Sequence, residues 1–189
     1  NTGYFSFELL DNGAKDVHCY EGNADHAEFV RLAAKALGLE DKLQVTNGYF
    51  AFDGSYDARY DVILLFNVLH HVGDDYGDQD LKAHRTRQVI AKQLNSLAKN
   101  TRTLVYQMGF NWQGDTSKPI FENGTKQEMI DFVKRAARDH WDVTAIGIAE
   151  KQDRTVVYRE MNEKNVQRDD SLGEFLNRPI FILRAKNHA

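Results

Sequence analysis

The segment Asp61-Val62-Ile63-Leu64-Leu65-Phe66 constrains this chain more than any other. An unbroken apolar run without alternation has no polar face to offer water. It predicts a strand buried on both faces, the habit of a parallel sheet. Parallel strands need crossover connections, usually helices, and the rest of the chain supplies them. Helical spacing runs over residues 4–10, which end at Asp11-Asn12-Gly13, and over 24–37, with Ala27, Val30, Ala34 and Leu37 on one side and Gly38 as the stop. It returns over 78–97, through Leu81, Val89, Ile90, Leu94 and Leu97, and over 126–138, where Thr125 is a fitting cap. Strands are predicted over 17–20, 43–50, 61–66, 103–108, 142–149 and 180–183. Strands alternating with helices predict an α/β fold: a Rossmann-like, doubly wound, mostly parallel sheet with helices on both faces.

With 189 residues, two prolines, no repeat and no Gly/Ser linker, residues 1–189 read as a single domain. The formal net charge of −4 counts against nucleic acid as a partner, because phosphate binding needs a concentrated basic face. Cys19 is the only cysteine, so no internal disulfide can form and no zinc-ligand spacing exists. It sits in an apolar alternation and reads as a small strand residue. A reducing, cytoplasmic compartment is the expectation, with no segment apolar enough to span a membrane.

In such sheets, ligands bind beyond the carboxyl ends of the strands, and three places there carry suitable chemistry. Asn1-Thr2-Gly3-Tyr4 is a small polar loop entering a helix, where Gly3 permits close backbone approach. Glu21 ends the second segment of the unit and can accept hydrogen bonds from a ribose diol; it lies about twenty residues after the glycine loop, the spacing of nucleotide-ribose recognition. Asn67-Val68-Leu69-His70-His71-Val72 follows the apolar strand, and either imidazole can serve as a general base. Each feature also has an ordinary structural explanation as a cap, a solvated carboxylate or a packed histidine.

Together these residues resemble the class I S-adenosylmethionine-dependent methyltransferases. The stretch from Asn1 to Phe7 resembles the tail of their glycine-rich first motif, Glu21 matches the acidic residue of the second, and the stretch from Asp61 to Val72 resembles the fourth-strand motif of the small-molecule members. The resemblance implies S-adenosylmethionine as cofactor, held by Asn1, Thr2, Gly3, Tyr4, Glu21, Gly22, Tyr49, Phe50 and Asn67, with His70 or His71 as the catalytic base toward an alcohol or phenol. Two departures stand out. Asn1 occupies the place of the middle glycine, so the family's first strand is expected upstream, with the present chain N-terminally incomplete. After the third strand, Asn47-Gly48-Tyr49-Phe50 lacks the usual aspartate, which leaves Tyr49 or Phe50 to flank the adenine.

Gln107, Asn111, Trp112 and Glu122 follow the next strand, and aromatic and amide groups of this kind suit a hydroxylated acceptor such as a saccharide or nucleotide sugar. The expected partner is therefore a small-molecule substrate. The run from Ser171 to Lys186 is similar to the tail of tRNA wobble-uridine-modifying relatives, which keeps a tRNA-modifying enzyme open, as does a non-catalytic cofactor-binding module. His70, His71, Asp74 and Asp75 are close enough in sequence to hold a metal ion, but Gly73-Asp74-Asp75-Tyr76-Gly77 reads as a solvated turn, and no metal site is expected.

Overall fold

The computed structural model describes residues 2–186, which form two compact units divided between Ala51 and Phe52. In the first, helix α1 (Tyr4–Asp11) leads into strand β1 (Val17–Glu21), helix α2 (Ala24–Ala36) and strand β2 (Leu43–Asn47). β1 and β2 pair in parallel, Val17 opposite Leu43 and Glu21 opposite Asn47. Of the α2 stripe predicted from spacing, Ala27, Val30 and Ala34 are buried while Leu37 is 63% exposed; Val30 and Ala34 pack with Leu43, and Phe7, Leu10, Val17, Cys19, Leu39 and Val45 close around them. Asn23 caps α2 by accepting the His26 N–H at 3.0 Å. The strand expected over 43–50 stops at Asn47, because the Asn47 side chain turns back to donate to the Glu21 carbonyl at 3.0 Å and Gly48 N–H donates to the same oxygen.

In the second unit a five-stranded mixed sheet has the order β3-β4-β7-β5-β6, built from β3 (Tyr60–Phe66), β4 (Thr101–Gln107), β5 (Trp141–Gln152), β6 (Thr155–Glu160) and β7 (Ile180–Ala185). β3 and β4 are parallel, while β7 is antiparallel to both β4 and β5. The sheet is therefore less parallel than the apolar run suggested. β3 lies at its edge, and Val62 remains 46% exposed instead of buried on both faces. Helices α3 (Thr86–Ser96) and α4 (Lys126–Ala137) supply Ile90, Leu94, Met129, Ile130 and Val133 to a core shared with Leu104, Tyr106, Phe181 and Leu183. The helix expected from residue 78 begins only at Thr86. Asp78 instead accepts the Asp80 N–H at 2.9 Å, a side-chain bond that competes with the helical ladder. A short helix, α5 (Gly173–Leu176), precedes β7.

α4 begins with a reciprocal capping box: the Thr125 hydroxyl accepts the Glu128 N–H at 3.2 Å and the Glu128 carboxylate accepts the Thr125 N–H at 3.0 Å. Lys126, the first helical residue, is buried, and its ammonium donates to the carbonyls of Asn165 and Gln167, which ties the loop before β7 to the start of the helix. Thr125→Ala removes the cap and is expected to lower stability by about 1 kcal/mol (range about 0.5–2). A denaturant titration with unchanged slope and a lowered midpoint is the result that checks it.

Candidate functional site

The first unit carries the cofactor residues predicted from its motifs. Asn1 lies outside the described residues. Thr2 is exposed, and Tyr4 is 60% exposed on the first turn of α1. Gly3 caps α1 at φ 78°, and a Cβ there would stand 2.9 Å from Val30 Cγ2. Its glycine identity thus follows from two local demands, a left-handed backbone and close packing of α1 on α2. Glu21 ends β1 with its side chain only 14% exposed. Its Oε1 accepts the Asn23 N–H at 2.9 Å and lies 3.8 Å from His26 Nδ1. Gly22 follows directly, and a Cβ there would stand 2.3 Å from the Tyr49 ring. The loop after β2 therefore folds its aromatic side chain over the loop after β1, and Phe50 meets Tyr20 edge-on at 5.2 Å. Glu21, Gly22, Tyr49 and Phe50 thus lie together at the carboxyl ends of the two strands.

In the second unit, β3 and β4 end in a closed polar ring. Asn67 stands at φ 59°, a left-handed conformation uncommon outside glycine. Its Nδ2 donates to Gln107 Oε1 at 2.9 Å, Gln107 Nε2 donates to the Arg178 carbonyl at 2.9 Å, and Arg178 Nη1 donates to Asn67 Oδ1 at 2.7 Å. Arg178 also pairs with Glu174 at 2.7 Å, and Asn111 Nδ2 reaches the other Glu174 oxygen at 3.4 Å. Arg178 and Glu174 were not singled out from sequence. Their signal was the i,i+4 spacing of opposite charges just before a strand, which alone marks only a helical pair.

The adjacent histidines differ sharply. His70 is 1% exposed, and its Nδ1 accepts the Gly109 N–H at 3.1 Å. A Cβ on Gly109 would come within 2.7 Å of the ring, so glycine makes the room for it. Burial, with the neighbouring charges of His71 and Arg178 after it, lowers the His70 pKa from 6.5 to about 3. His70 is thus a buried imidazole whose Nδ1 is committed to the Gly109 N–H beyond β4. His71 keeps its side chain 29% exposed, with Nδ1 3.6 Å from Asp75 Oδ2.

The proposed acceptor residues also divide. Trp112 is buried, and its indole N–H donates to the Val72 carbonyl at 2.6 Å, so it braces the loop after β3 and is not available for stacking on a substrate. Gln107 is buried with its amide engaged on both sides by the polar ring, which likewise removes it from direct recognition. Asn111 is half-buried beside Glu174, and Glu122 is exposed.

No family model matches this chain, and no curated protein does either. Its fold does match solved structures. The bifunctional kinase-methyltransferase WbdD superposes with a TM-score of 0.57 at 13% identity, over 99% of this chain and 33% of that one. A protein described as an RNA methyltransferase from Pyrococcus horikoshii matches at TM-score 0.52 and 12% identity, over 97% of this chain and 70% of its own. TehB from Haemophilus influenzae matches at 0.53 and 14%, over 98% and 55%. The chain therefore shares the α/β fold of these solved structures. The chain spans a third to about two thirds of these three proteins. Among the described residues, no helix is long and apolar enough to cross a membrane.

The buried neutral His70 has a consequence for pH. Unfolding returns its pKa from about 3 to 6.5, so between those values the unfolded chain binds a proton that the folded chain refuses. This contribution leaves stability intact above pH 6.5 and erodes it as the pH falls toward 3, by at most about 1.4 kcal/mol per pH unit. His70→Gln, which keeps an acceptor for Gly109, is expected to flatten that dependence. Denaturation midpoints at neutral pH and at about pH 5 compare the two proteins, and parallel pH profiles would contradict the assignment.

Proposed function

We propose that the chain is an S-adenosylmethionine-dependent methyltransferase acting on a small hydroxylated acceptor. The observation that carries the reading is Glu21, a shielded carboxylate at the end of β1 with Gly22 and the Tyr49 ring beside it. A carboxylate at the end of the strand is a group suited to accept hydrogen bonds from a ribose diol. Tyr49 and Phe50 offer rings to an adenine. The fold relatives described as methyltransferases support the same reading.

The cofactor supplies an electrophilic methyl group on a sulfonium centre. What the protein adds is alignment of the acceptor and exclusion of water. Asn111 and Glu174 offer polar groups suited to hydroxyls, and the Glu174 carboxylate offsets the Arg178 charge at 2.7 Å. A neutral hydrogen-bonding acceptor fits that balance better than an anion. With His70 locked into the core, His71 is the histidine that serves the acceptor.

An RNA acceptor is the second reading, favoured by the RNA methyltransferase among the fold relatives. The net charge of −4 weighs against it. A gel shift with bulk tRNA at low and moderate salt separates the two.

Glu21→Ala is expected to weaken S-adenosylhomocysteine binding at least about tenfold, from the loss of one or two charge-assisted hydrogen bonds worth roughly 1.5–3 kcal/mol each. Isothermal titration of the wild type and the variant measures this, and equal affinities would remove Glu21 from the cofactor site.

A further inference from the structure

We infer that His71, Asp74 and Asp75 form a binding site for one divalent first-row transition cation. Each residue offers one ligand atom, and the three atoms lie within 4.8 Å of one another. The imidazole is the informative member. His71 Nδ1 is shielded from water and has no hydrogen-bond partner, an unfavourable state for a polar atom. Its nearest carboxylate oxygen, Asp75 Oδ2, is 3.6 Å away. That is too long for a hydrogen bond. It is close to the spacing of two ligands sharing one ion, since bonds of about 2.1 Å place tetrahedral ligands about 3.4 Å apart.

Among the described residues, no lysine or arginine forms an ion pair with Asp74 or Asp75. Both are exposed, which leaves room for water or an acceptor oxygen to complete the coordination. The backbone holds the three ligands in place. Asp74 and Asp75 N–H both donate to the His71 carbonyl, Gly73 N–H donates to the Tyr76 carbonyl at 2.7 Å, and Gln113 Nε2 bonds the Gly73 carbonyl at 3.0 Å. One imidazole nitrogen with two carboxylate oxygens suits Mn²⁺ or Zn²⁺ better than Mg²⁺ or Ca²⁺, which prefer all-oxygen shells. With an ion in place, His71 serves the acceptor as a ligand instead of as a base, and the ion lowers the pKa of a bound hydroxyl.

Ion binding is measured on its own, with Mn²⁺ followed by electron paramagnetic resonance and Zn²⁺ by calorimetry. One saturable ion per chain is expected, weakened at least about tenfold in His71→Ala and in Asp75→Asn. The exposed neighbouring variant Asp80→Asn should leave it unchanged. Should the variants fail to fold, selective broadening of the His71 imidazole resonances by Mn²⁺ in the wild-type protein supports the site equally. Binding that never saturates, binding indifferent to these substitutions, or broadening that spares His71 overturns the inference. S-adenosylhomocysteine titrated into metal-free protein keeps the tests apart, since cofactor binding without ion binding sinks the ion site alone.

Discussion

The second unit depends on the hydrogen-bonded ring of Asn67, Gln107 and Arg178. Three segments far apart in sequence meet there: the ends of β3 and β4 and the entry to β7. Each side chain in it bonds to the next, which helps polar groups sit at the end of an apolar sheet, although Arg178 Nε is buried without a hydrogen-bond partner. The ring also holds Asn67 in a left-handed conformation that a non-glycine residue adopts only when its surroundings overdetermine it. The turn that follows, which carries both histidines, takes its direction from that residue.

From this turn, two neighbouring identical side chains acquire opposite characters. His70 points into the core, where a glycine clears its space and a backbone N–H fixes its tautomer as an acceptor at Nδ1. Low polarity then keeps it neutral. His71, one residue further on, stays partly open beside Asp75. A single step along a 3₁₀ turn therefore separates a packed imidazole from a partly open one. Trp112 belongs to the same division: its indole braces the turn through the Val72 carbonyl and so helps decide where His71 lies.

Much of the architecture could be read from residue patterns because periodicity reports burial directly. α2 and α4 fall where the apolar stripes and caps place them. β6 was missed because Thr155–Glu160 is an almost wholly exposed edge strand, which leaves no apolar alternation to detect. The reversal of β7 was equally hidden, since a buried strand looks the same in either direction. At the sites, Glu21 and the His70-His71 pair could be located as strand-end residues. The partners Arg178 and Glu174 could not, because the Arg178 contact with Asn67 spans more than a hundred positions, Glu174 enters through Arg178 and Asn111, and neither long-range contact leaves a local trace.

Sequence by itself determined most of the strands and helices, that they build an α/β fold, and which carboxylate and imidazoles sit at strand ends. Those are consequences of short-range sterics and of the burial of apolar stripes, both written along the chain. Tertiary structure alone decided which histidine is locked and which is open, that Trp112 and Gln107 are supports, and that a carboxylate pair stands beside an unpartnered imidazole nitrogen. Those outcomes depend on distances between residues that only packing brings together, and on the desolvation that packing imposes.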